Sequence, residues 1–135
     1  MVENTIIRAL RETTVIAVVG LSDNADRPSH QVARYLRENG YRIIPVNPTI
    51  PEVLGQKSYP DLQSIPEKVD LVDVFRKSDD IPPIAEQAAL IGPKFFWMQQ
   101  GIENEHAREF LESKNITVIM NRCIKIEHAR YRKKL

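Results

Sequence analysis

Cysteine is nearly absent: Cys123 is the only one in the chain. No internal disulfide can form, and a reducing, cytoplasmic setting is expected. An excess of one charge is also missing. The formal net charge is +1, which sets up no general field toward nucleic acid or a membrane surface. No apolar run approaches the roughly 20 residues of a transmembrane helix. The opening, MVENTIIRAL, is acidic early and has no long apolar core, so it does not read as a secretory signal. The G-x-G-x-x-G and G-K-[ST] phosphate motifs are both absent. No carboxylate pair, metal-ligand spacing, repeat or low-complexity stretch stands out. What remains is 135 residues, 42% of them hydrophobic, enough for one domain over 1–135 with a real core.

The most informative stretch is VIAVVGLSDNADRPSHQVARYLRENG, 15–40. Val15 to Val19 is a continuous apolar run, the pattern of a parallel strand covered on both faces. Gly20 then permits a tight turn and a close approach by a ligand. A polar loop, Leu21 to Pro28, leads into a helix expected to start near Ser29. Ser29 is read as its N-cap, Val32, Leu36 and Tyr35 as its inner face, and Gly40 as its C-terminal stop. A strand that turns through glycine into a helix N-terminus is a ready anion site. Ser22, Arg27, Ser29 and His30 can add donors there. An ordinary turn that binds nothing has the same local pattern.

Short apolar runs alternate with helical segments along the rest of the chain. Glu3 to Arg11 reads as an amphipathic helix. Tyr41 to Asn47, Asp70 to Phe75, Phe95 to Gln99 and Ile116 to Met120 read as further strands. Asn47 is placed to bond a ribose or base, or to make an Asx-turn before Pro48. The proline-punctuated segment Pro48 to Pro66 reads as a crossover with one helical turn at Asp61 to Ser64. Val53, Leu54 and Leu62 plug it onto the sheet, and Gly55-Gln56-Lys57 forms an exposed turn. A helix capped by Ser78 or Asp80 and stopped by Gly92-Pro93 follows the third strand. Another runs from Glu103 or Asn104 to Lys114. The tail, Ile124 to Leu135, covers a sheet edge or forms a last helix. Its basic end, Arg130 to Lys134, is read as a solvated tail.

This alternation predicts an α/β fold: a Rossmann-type doubly wound parallel five-stranded sheet, order 3-2-1-4-5, with helices on both faces. All the loops singled out then fall on one rim. They are Gly20 to Ser29, Asn47-Pro48, Arg76-Lys77, Gln100-Gly101 and Asn121 to Cys123.

The set GLSDNADRPSHQV, PVNP, VLGQKSYPDLQSIP, VDLVDVFRKSDDIP, WMQQGIENEHA and MNRCIKIEH resembles the small stand-alone CoA-binding proteins. Those are relatives of the CoA-binding domain of the succinyl-CoA synthetase alpha chain. The resemblance runs from Thr14 to His128 and keeps the family's motif order. It implies that Gly20, Leu21, Ser22, Arg27, Pro28 and Ser29 hold the diphosphate of coenzyme A or an acyl-CoA. It implies that Asn47 and Pro48 border the adenosine, and that Phe75, Arg76 and Lys77 flank the nucleotide. Met98, Gln99 and Gln100 would line the crevice toward pantetheine. Cys123 matches the cysteine of a Pro-Asn-Cys motif near the thiol end, and Arg122 departs from that motif.

Such a ligand wants a helix N-terminus and a few cations, which Arg27, Arg76 and Lys77 supply. Three roles stay open for Cys123: a packing thiol, a mixed disulfide with the CoA thiol, or a nucleophile. His30 is a phosphate contact or an exposed first-turn residue, and His106 is surface. Trp97, with Phe95 and Phe96, is core. The function expected is a non-catalytic carrier, sensor or regulatory protein for CoA. The alternatives are a thiol or acyl-CoA-dependent enzyme using Cys123, or a regulatory subunit of a larger complex. A homo-oligomer or protein partner is allowed; nucleic acid and membrane are not expected.

Overall fold

A computed structural model describes residues 2–135. In chain order the elements are α1 (Val2–Glu12), β1 (Val15–Val19), α2 (Pro28–Glu38), β2 (Arg42–Val46), β3 (Glu52–Val53), β4 (Gln56–Lys57), β5 (Leu71–Val74), α3 (Ile81–Ile91), β6 (Phe95–Met98), α4 (Glu105–Ser113), β7 (Thr117–Ile119) and α5 (Ile124–Tyr131). A five-stranded sheet of order β2-β1-β5-β6-β7 forms the centre, and all its pairs are parallel. The strands are apolar on both sides because both faces are covered. One face carries Ile16, Val18, Leu71, Phe95 and Trp97 against α1, α2 and α5. The other carries Ala17, Val19, Val72, Val74, Phe96 and Met98 against α3 and α4. This is the Rossmann-type architecture that the sequence predicts.

The third place in the 3-2-1-4-5 order is filled differently from expectation. The segment expected there, now β5, pairs with β1 on the side away from β2. Outside β2, the place is taken by a single parallel bridge between Val46 and Tyr59. Tyr59 N–H donates to the Pro45 carbonyl at 3.0 Å, and Asn47 N–H donates to the Tyr59 carbonyl at 2.9 Å. One bridged residue in a proline-rich crossover leaves no strand pattern to read.

Two local expectations also change. Arg27, not Ser29, is the N-cap of α2, and Pro28 occupies the first helical position, where its missing N–H is harmless. Gln56 and Lys57 are not a turn but a strand of a small hairpin, whose turn is Leu54-Gly55, both at positive φ. Of the two readings of the tail, the last helix holds: α5 packs on the sheet face beside α1 and α2. Gly40 does end α2: Gly40 N–H reaches the Arg37 carbonyl and Tyr41 N–H the Leu36 carbonyl, each at 3.1 Å, a Schellman closure.

Candidate functional site

The chain leaves β1 toward β2 on one side of the sheet and returns through β5 on the other. Ligands of open α/β sheets bind at this kind of switch point, outside the carboxyl ends of the strands. A cleft of about 850 Å³ lies there. Its floor is a row of residues just past three adjacent strands: Gly20 after β1, Phe75 after β5 and Gln99 after β6.

Gly20 is required by the close packing of that floor. Its φ is +84°, and a Cβ would stand 2.5 Å from the Phe75 carbonyl oxygen. The loop that follows is fixed by its own polar groups. Ser22 N–H donates to Ser29 Oγ at 3.0 Å, and Asn24 N–H donates to Ser22 Oγ at 3.0 Å. His30 Nδ1 donates to the Ser22 carbonyl at 2.9 Å, and Asn47 Nδ2 donates to the Leu21 carbonyl at 3.1 Å. The loop therefore delivers the start of α2 to the cleft in a set position. The His30 and Gln31 amides turn back to the Arg27 carbonyl, and Pro28 has no N–H. The Ser29 amide is left as the orphan donor of that turn.

Charge and burial divide the cleft. Arg27, Arg76 and Lys77 line it, are exposed, and form no ion pair among the described residues. Asp80, at the start of α3, is the acid on the same wall. Farther along, Gln99, Gln100, Gly101, Ile102 and Cys123 complete the lining. Cys123 stands at the N-cap of α5. Two further hydrogen bonds hold that end: Trp97 Nε1 donates to the Arg122 carbonyl at 2.7 Å, and Gly101 N–H donates to Asn121 Oδ1 at 2.6 Å.

Of the residues expected at the site, eleven line this cleft: Gly20, Ser22, Arg27, Pro28, Ser29, Phe75, Arg76, Lys77, Gln99, Gln100 and Cys123. Six stand elsewhere. Leu21 and Met98 are fully buried in the two cores. His30 holds the loop. Asn47 makes the Asx-turn, its Oδ1 accepting from Thr49 N–H at 3.0 Å, while its amide braces Leu21. Pro48 lines a neighbouring cavity of about 350 Å³, which shares Gly20, Arg76 and Asp80 with the cleft. The Arg122 side chain turns to the buried Glu127 at 3.3 Å. Sequence reasoning missed Val32, Ser78, Asp80, Gly101 and Ile102 as lining. Gly101 was legible from its position on the rim; Val32 was assigned wholly to the core.

One buried acid lies under the floor. Asp73 pairs in register with Val18 and Trp97, two rows below Gly20, Phe75 and Gln99. It is fully buried, neither carboxyl oxygen has a partner among the described residues, and burial pushes its carboxyl well above the usual aspartate range. Among the described residues no group of acidic, histidine and cysteine side chains is arranged to hold a metal, and no helix is long and apolar enough to cross a membrane.

The chain resembles several known proteins. YneT of Bacillus subtilis is 48% identical over 120 residues, covering 89% of each chain. A solved protein of Pyrococcus horikoshii superposes with a TM-score of 0.91 at 37% identity, covering 95% of this chain and 90% of that one. The ADP-forming acetate–CoA ligase II of Archaeoglobus fulgidus is 31% identical over 81 residues, which are 58% of this chain but 12% of the ligase. The family model described as "CoA binding domain" matches residues 14–129, so all five strands of the sheet and the whole cleft rim lie within it, and the chain belongs to the CoA-binding domain family.

Proposed function

We propose that this protein binds coenzyme A or an acyl-CoA in the switch-point cleft, as a non-catalytic carrier, sensor or regulatory protein. One observation carries the reading. The start of α2 and three unpaired cations, Arg27, Arg76 and Lys77, converge on one cleft in a chain whose net charge is only +1. Cations left unpaired around a helix N-terminus suit phosphate groups. Gly20, Ser22, Pro28 and Ser29 would cradle the diphosphate. The smaller cavity beside Pro48 would take the adenosine, between Arg76 and the acids Asp79 and Asp80. Phe75, Ile102 and Val32 give the remaining wall the apolar surface that a pantetheine arm needs.

Titration calorimetry with CoA, dephospho-CoA and NAD tests the reading. CoA is expected to bind most tightly, dephospho-CoA less so because it lacks a phosphate, and NAD weakest. Equal binding of all three, or none, refutes it.

A further inference from the structure

Gln99 is 5% exposed and sits on the cleft floor. The orientation of its carboxamide is fixed by chemistry. The Ile124 amide at the first position of α5 can only donate, so the atom facing it at 3.2 Å is the side-chain oxygen. The other branch, Nε2, donates to no group among the described residues. Nor does it belong to the sealed, partnerless polar atoms, which are those of Thr13 and Asp73. It is therefore a buried amide held by its oxygen, with two N–H donors presented to the cleft. A polar group this deep is ordinarily paired.

The two ends of the cleft offer different chemistry. The α2 end offers cations and the Ser29 hydroxyl, which accepts from Ser22 N–H at 3.0 Å and keeps its own proton free. The end near α5 offers the Gln99 donors, beside the apolar Ile102 and the thiol of Cys123. Charged phosphates suit the first end. A neutral carboxamide suits a neutral acceptor, and an amide carbonyl is the best geometric match.

We propose that Gln99 Nε2 donates to an amide carbonyl of the ligand's pantetheine arm, so that the arm as well as the nucleotide determines specificity. The inference rests on the CoA reading above and adds the group that reads the arm. A ligand ending at the diphosphate would leave this donor without a partner.

The test compares CoA with adenosine 3′,5′-bisphosphate, which lacks the arm, on wild type, Gln99→Glu and Gln99→Met. Gln99→Glu keeps an oxygen for Ile124 N–H and removes both donors. Gln99→Met removes them without adding charge. Both variants are expected to bind CoA about tenfold more weakly and the bisphosphate unchanged. Wild-type affinity for CoA in both variants overturns the inference while leaving CoA binding intact. Equal weakening of both ligands, or failure of both variants to show a cooperative thermal transition, assigns Gln99 a structural role and also overturns it. If the wild type binds neither ligand, the CoA reading itself falls and this inference falls with it.

Discussion

Gly20 packs so closely on Phe75 that a Cβ would lie 2.5 Å from the Phe75 carbonyl oxygen and 3.0 Å from Arg76 Cδ. The obstacle is backbone in a parallel ladder, held by Phe75 N–H donating to the Val19 carbonyl at 2.9 Å. It cannot swing aside as a side chain would. An L-residue at positive φ adds about 1–2 kcal/mol of its own. Gly20→Ala is therefore expected to lose more than about 2 kcal/mol of stability and to push the α2 turn away from β5. Urea unfolding reads the first effect and CoA calorimetry the second. A variant as stable as wild type would mean that the contact relaxes freely.

The unpaired cations can be tested by salt. Arg27 and Arg76 reach the cleft from different elements, one before α2 and one after β5. Each Arg→Gln change is expected to weaken CoA binding about tenfold at low salt, as the loss of a charge-assisted hydrogen bond does. The difference from wild type should shrink as ionic strength rises, because exposed charges are screened. Calorimetry at two salt concentrations checks both points. A deficit that ignores salt would point to lost packing instead.

Much of the site was legible because it follows from topology. Gly20, Phe75 and Gln99 each come one residue after an apolar run, and a parallel sheet brings such residues together whatever their side chains. Arg27, Arg76 and Lys77 were legible for the same reason. What escaped was the choice each polar side chain makes between ligand and backbone. Asn47 and His30 are the right residue types in the right loops, yet both are spent on the carbonyls of Leu21 and Ser22. Their acceptors are local backbone groups, and pattern cannot distinguish those from a ribose or a phosphate. Leu21 and Met98 illustrate another limit. Leu21 lies between two rim residues and Met98 directly before one, but their side chains point to the two cores. The Tyr59 bridge was illegible because a single paired residue has no period.

Ser29 separates loop order from helix stability. Its hydroxyl does not cap α2 but accepts from Ser22 N–H at 3.0 Å across the turn. Ser29→Ala should therefore leave helix content in circular dichroism unchanged. It should leave a half-buried donor without its partner, at about 1 kcal/mol. CoA affinity should fall with the order of the loop, and hydrogen exchange at Ser22 should speed up. An unchanged exchange rate at Ser22 would show that water replaces the hydroxyl without loss.

Asp73 ties stability to pH through a group that lies beneath the floor rather than in the cleft. It is fully buried without a partner among the described residues, and burial holds its carboxyl well above the ordinary value of 3.8. The folded state therefore keeps its proton at a pH where the unfolded chain has lost it. Below about 3.8 the side chain is neutral in both states and imposes no ionisation penalty. As pH rises toward the folded value, the unfolded chain ionises first and stability falls. Asp73→Asn removes this dependence, since the amide stays neutral and nearly isosteric. The thermal midpoint of the variant minus that of wild type should be small in acid and should grow as pH rises toward neutrality. An offset that stays constant across that range would mean that Asp73 is ionised in the fold, held by a partner such as a buried water, and that the space under the cleft floor is not dry.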